Sequence, residues 1–194
     1  MMRLAAEGWL SIGASWRMLT FRSGWHTGYD VSIQGFWRSF LAIPAAVPMI
    51  LMIHASMVHA GSTLTLGDQI VVQGLSWLLF PFAGALACTV TASGSGFVRW
   101  VVVHNWAVLW LYFYLFVLWT FYTAGLLPAE LVGLGLFLYP YLRLLAHWRI
   151  AYVTLGLPTV TAALAAAVPI LVIELAIALY LANRLAPQAV ETGG

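Results

Sequence analysis

The amino-acid sequence predicts an all-α fold, a polytopic membrane helix bundle of five transmembrane helices preceded by an interfacial amphipathic helix. Three observations carry that reading. The 194 residues are 63% hydrophobic and 7% charged, against roughly 25% charged in a soluble domain. The mean hydropathy is +0.94. The apolar residues gather into five stretches, at 39–59, 69–92, 100–123, 131–147 and 159–182, each near the ~20 residues that a helix needs to cross a bilayer. The chain divides into a cytoplasmic amphipathic helix and loop (1–38), a five-helix transmembrane domain (39–183) and a short polar tail (184–194).

Every basic residue is an arginine. A net charge of +2, dispersed along the chain, argues against a nucleic-acid partner. Cys88 is the single cysteine, so no intrachain disulfide forms and the redox compartment is not legible.

In the first element, Met2, Ala5, Trp9, Ile12, Trp16 and Leu19 recur at spacings of three and four. That places them on one stripe of a helix, with Arg3, Glu7, Ser11 and Ser15 mostly elsewhere. Polar interruptions at Glu7, Ser11, Ser15 and Arg17 argue against a signal peptide. Tryptophan beside arginine suits a water–lipid boundary. The expected interfacial anchors are Trp9, Trp16, Arg17, Trp37, Arg38, Arg143, Trp148 and Arg149. Small polar residues from Ser23 to Asp30 break the helix, and Asp30 or Ser32 is placed to cap the next one.

The first span carries Pro44 and Pro48, which should bend it. Its His54 and His59 stand about 140° apart around a helix, so they make poor joint metal ligands, and no metal or cofactor is expected. The third span holds aromatic side chains on every face, including Trp106, Trp110, Phe113, Tyr114 and Trp119. Such bulk makes it a poor lining for an aqueous pore and suits a wall against lipid or a neighbouring chain. His104 and Asn105, near its inner end, are expected to be satisfied by water or backbone.

Arginines precede the first span and recur in the second and fourth loops (Arg99, Arg143, Arg149), while the first and third loops carry only Asp68 and Glu130. The positive-inside rule then places the N-terminus in the cytoplasm and the C-terminus on the opposite side of the membrane. Arg184 is the exception and would have to snorkel. A four-span alternative, with the last two stretches re-entrant, is the main rival.

The fifth span holds the sharpest feature. Glu174 lies roughly 15 Å from the nearer expected boundary, where a bare charge costs about 2.5–3.5 kcal/mol. Ala163, Ala167, Ala178 and Ala182 continue its face at helical spacing, a small-residue stripe that lets another helix approach. Depth matching predicts a buried polar cluster of Glu174 with His54, joined by Tyr114 and Gln73, and excludes His104 as a direct partner.

The run Asp30-Val31-Ser32-Ile33-Gln34-Gly35-Phe36-Trp37-Arg38-Ser39-Phe40, and the stretch from Phe97-Val98-Arg99-Trp100 to His104-Asn105-Trp106, resemble a group of uncharacterised small bacterial inner-membrane proteins. The five-span layout is similar to that of the Yip1-like membrane proteins over roughly residues 30–180. The resemblance implies a multi-pass location in a bacterial inner membrane, with the outer C-terminus then in the periplasm, and no particular activity. No paired acids, clustered histidines or nucleophile motif appear, so an enzyme is not expected. The expected function is a non-enzymatic scaffold or accessory subunit. Its partners would be the bilayer and other membrane proteins or further copies of itself. The alternative is a small proton-coupled carrier using Glu174 and His54, weakened by the lack of a second buried charge and of an internal repeat.

Overall fold

The computed structural model describes the backbone of residues 2–191 and the side chains of residues 4–184. Among the described residues the chain is all-helical, in the order α1 (Met2–Leu19), α2 (Ile33–Ser39), α3 (Ala42–His59), α4 (Leu66–Val90), α5 (Phe97–Thr123), α6 (Ala129–Leu155) and α7 (Thr159–Glu191). Five segments are long and apolar enough to cross a membrane: Ile33–His59, Leu66–Val90, Gly94–Thr123, Ala129–Leu155 and Thr159–Arg184. Each of the last two is a single continuous helix long enough to cross by itself. The backbone of α7 stays helical to Glu191, into the segment expected as a polar tail, and residues 192–194 lie outside the described part.

Local chemistry sets the ends. Ser32 caps α2 by accepting from the Gly35 N–H at 3.0 Å. Thr65 and Asp68 form a reciprocal capping box at the start of α4, satisfying two donors that a helix N-terminus leaves free. Gly156, at φ 66°, ends α6 in the left-handed conformation that glycine takes without penalty.

Gly35 matters for a different reason. A Cβ built there would stand 2.0 Å from the Asp30 carbonyl oxygen and 2.7 Å from the Asp30 side chain. The obstacle is backbone, which cannot rotate away. Gly35→Ala is therefore expected to force the 30–32 turn off α2 and destabilise the fold by about 1–3 kcal/mol. Thermal unfolding of the variant checks this, and an unchanged midpoint would refute it.

α5 is the central helix, packed by α3, α6, α1, α2 and α4. Its buried face runs through Trp100, Val101, Val102, Val103, Trp106 and Ala107. α7 packs on α4 and α6. Thus α4, α5, α6 and α7 close a four-helix ring, and α3 lies along α5 beside it.

α1 lies against α5 and α6. Its packed face is Gly8, Ser11, Ala14, Ser15 and Met18, while Trp9, Leu10 and Trp16 remain exposed. The serines suit that face because their hydroxyls find partners. Ser11 donates to the Gly28 carbonyl at 2.9 Å, and Ser15 bonds the Tyr29 hydroxyl at 2.9 Å. Burial of Tyr29 pushes its phenol above the usual range. The Trp110 indole donates to the Ile12 carbonyl at 3.0 Å, and the Trp16 ring packs 4.7 Å from that of Trp110.

Candidate functional site

The four-helix ring encloses a cavity of about 280 Å³. α4 contributes Gln73, Ser76 and Trp77, α5 His104 and Tyr112, α6 Tyr139, Arg143 and His147, and α7 Glu174. These side chains converge because each helix places polar residues one or two turns apart on a single face. Arg143 and His147 are an i, i+4 pair, and so share one side of α6.

Arg143 donates to Glu174 across the α6–α7 interface. By helical rise the arginine has about 20 Å of α6 on either side of it. The Arg143 side chain is 24% exposed and that of Glu174 49%, so the ion pair forms the open side of the cavity.

The closed side is histidine. His104 and His147 are both buried, with their Nε2 atoms 3.3 Å apart. His147 Nδ1 lies 2.8 Å from the Arg143 carbonyl, which only accepts. In neutral rings His147 therefore carries its proton on Nδ1 and offers Nε2 as an acceptor, while the single proton of His104 is shared between two claims, His147 Nε2 at 3.3 Å and Asn105 Oδ1 at 3.5 Å. The contacts run from Asn105 through His104 and His147 to the Arg143 backbone. Phe80 stacks on His104 with ring centroids 3.3 Å apart. Asn105, beside His104, donates to Ser39 Oγ at 2.8 Å, tying α2 to α5.

Along the wall between the two sides, Tyr112 donates to Gln73 Oε1. The buried indole N–H of Trp77, beside Tyr112, makes no well-formed hydrogen bond. Tyr139 completes the polar lining.

The structure brings together only part of the expected cluster. Glu174 and Gln73 line the cavity. Tyr114 does not, because it points to the other side of α5 and donates to the Gly135 carbonyl at 2.9 Å. His54 does not, because α3 lies outside the four-helix ring. The partner of Glu174 is Arg143, which the sequence reading placed at the membrane boundary as an anchor. His104, excluded as a direct partner, is not bonded to Glu174 but lines the same cavity.

The alanine stripe also falls differently. Ala163, Ala178 and Ala182 are exposed and Ala167 is half-buried. The alanines that α7 packs with are Ala162, Ala165 and Ala166, continued by Pro169, Ile170 and Ile173. That face is rotated by about 100° from the expected one.

Of the expected anchors, Trp9 and Trp37 are exposed, as are Trp16 and Arg17. Arg38 pairs with Glu7 at 2.6 Å, with Asp30 3.7 Å away. Its neighbour Ser32 bonds the Asp30 carboxylate through side chain and backbone, and with Arg38 this holds that carboxyl below its usual range. Trp148 donates to the Thr159 carbonyl at 3.2 Å. Arg149 lies 4.5 Å over the Phe21 ring and donates to the Met18 carbonyl at 3.4 Å, which joins α1 to α6.

Arg184 is not alone. It pairs with Asp68 at 3.2 Å. Asp68, almost wholly buried, also accepts from the Tyr180 hydroxyl at 2.8 Å and from Thr65. This cluster fastens α4 to α7 at the end of the bundle away from α1.

No family model, curated protein or solved structure matches the chain.

Proposed function

We propose that the protein crosses a membrane five times and works as a small proton-coupled carrier, with the four-helix cavity as its site. The observation that carries this reading is the Arg143–Glu174 ion pair opening onto a cavity that also holds the His104–His147 pair. Charges at such depth in a bilayer are costly and are retained chiefly where they serve a substrate or proton path. The objection from sequence, that a second buried charge was missing, is met by Arg143.

The arrangement supports the orientation inferred from the arginines. Arg38 and Arg149 meet α1 or its loop at one end, and the Asp68–Arg184 cluster lies at the other. With the N-terminus in the cytoplasm of a bacterial inner membrane, the exposed Trp9 and Leu10 of α1 lie on the cytoplasmic half of the bundle, and Trp16 reaches Trp110 at the middle of α5.

The test is proton flux. Purified protein in vesicles carrying an internal pH dye is offered small anions, cations and neutral sugars under an inward proton gradient. At least one solute should evoke flux, and Glu174→Gln should abolish it while leaving the assembly intact. Absence of flux with every solute would refute the carrier.

A second reading, a scaffold or accessory subunit, is favoured by one observation. The small-residue stripe Ala163–Ala167–Ala178–Ala182 and the half-exposed Glu174 face outward from the bundle, a surface that another helix can approach closely. Gentle extraction would then recover the chain in a larger particle of constant composition, with no flux.

A further inference from the structure

We infer that the cavity between α4, α5, α6 and α7 binds a small monocarboxylate, which docks on Arg143 in place of Glu174 and enters with a proton. This rests on the carrier reading of the site and names its ligand.

Glu174 and the hydroxyl oxygens of the lining keep unused lone pairs, but Arg143 carries the permanent charge of the cavity, and its donors select the ligand. The Trp77 indole N–H is not among the donors that reach the cavity, since it is closed off beside Tyr112. The guanidinium of Arg143 has five N–H groups, of which Glu174 takes one at Nη1. Tyr139 adds a hydroxyl. Such a lining calls for a ligand rich in acceptors.

Charge and shape narrow the class. A planar carboxylate matches the guanidinium fork and can replace the Glu174 carboxylate group for group. The volume of about 280 Å³ lies at the lower end of the range of small-molecule pockets, ~300–1,000 Å³, and accommodates a short-chain acid. Val108, Leu111, Ile173 and Ile177 provide an apolar wall for a short carbon chain.

Proton coupling follows from the charge of the site. Arg143 and Glu174 together are neutral, and an added carboxylate leaves one uncompensated negative charge in a low dielectric. One proton taken up on a Glu174 carboxylate oxygen restores neutrality. No covalent bond breaks other than that of the proton donor, water or hydronium at the open side. The titratable groups facing Glu174 are Arg143, Tyr139 and His147 on α6 and Tyr112 and His104 on α5, while α4 presents only Gln73, Ser76 and Trp77. Among these, Glu174 is the carboxylate that the ligand displaces, and so the group that takes the proton.

The full chain in lipid nanodiscs would be titrated with lactate, with isopropylamine as a cation of similar size and with chloride as a simple anion. Indole emission and calorimetry in buffers of different ionisation heat read binding and proton uptake. Lactate should bind saturably with uptake of a proton, and the other two should not compete. Glu174→Gln should bind lactate more tightly and without proton uptake, because the internal competitor is gone. Tyr139→Phe should bind it about tenfold more weakly, the worth of one hydrogen bond to a charged acceptor. If Glu174→Gln yields little folded protein, Tyr139→Phe carries the comparison. Absence of lactate binding, binding of isopropylamine instead, or chloride binding as well as lactate would each overturn the assignment. Lactate bound but not moved into vesicles would remove the carrier reading and leave this site standing. Proton-coupled movement of an amine or sugar without lactate binding would do the reverse.

Discussion

Arg143→Leu is expected to destabilise the protein by about 2–3 kcal/mol at neutral pH, the cost of leaving the half-exposed Glu174 carboxylate without its partner at mid-helix depth. The same cost is expected of Glu174→Leu, but the two variants should part company as the pH falls. In Arg143→Leu the stranded group is a carboxylate, which can take up a proton and become neutral. Its penalty should shrink in acid. In Glu174→Leu the stranded group is a guanidinium, which stays charged at every accessible pH, so its penalty should persist. The double variant Arg143→Leu/Glu174→Leu removes both charges, and should lie near the parent in stability, since neither side chain is then left charged without a partner. Unfolding of the reconstituted protein at neutral and acid pH measures all three. Additive losses in the double variant would show that the pair seen between α6 and α7 is not formed in lipid.

How much of this was legible beforehand depends on which property each residue signals. The five long helices were, because apolar length is a one-dimensional property and the bilayer fixes its scale. The cap of α2 was legible to within two candidates, Asp30 and Ser32, because short polar side chains before a helix are a local signal, and the structure selects Ser32. Arg143 was misread for a physical reason. Arg143, His147 and Arg149 lower the local hydropathy, and a hydropathy profile responds identically to a charge in headgroups and to a charge with a partner. The fourth span therefore ended at residue 147 in sequence, whereas α6 runs two further turns to Leu155 and leaves Arg143 mid-helix. The i, i+4 spacing of Arg143 and His147 was the one available hint that both face the same neighbour.

His54 fails differently. Matching residues by depth gives the level of a side chain but neither its direction around the helix nor the order of helices around the ring. Here that order places α3 beside α5 and away from α7. The face of α7 was misjudged for the same reason. Two small-residue stripes exist on it, one through Ala163 and one through Ala162, and only tertiary packing chooses between them.

Trp100→Ala is expected to cost about 2–4 kcal/mol and to disturb the histidine pair from a distance. Trp100 is 1% exposed. Its ring fills the space over Gly84, where an added Cβ would already be in contact at 3.6 Å. It meets Phe80 edge-on with centroids 5.5 Å apart, and Phe80 in turn stacks on His104. Truncation leaves a cavity that helix backbones cannot close. In a soluble core the loss would be about 3–5 kcal/mol, but part of that is transfer from water. Between lipid and protein interior the transfer term falls away, and lost packing contacts remain. Phe80 is then free to slide off His104, so the His104–His147 contact should lengthen and proton-coupled activity should fall together with stability. Trp100→Phe keeps a ring at the site and should recover most of both. If Trp100→Ala loses stability but keeps its full proton-coupled rate, the stacking of Phe80 only fills space and the histidine pair does not depend on it.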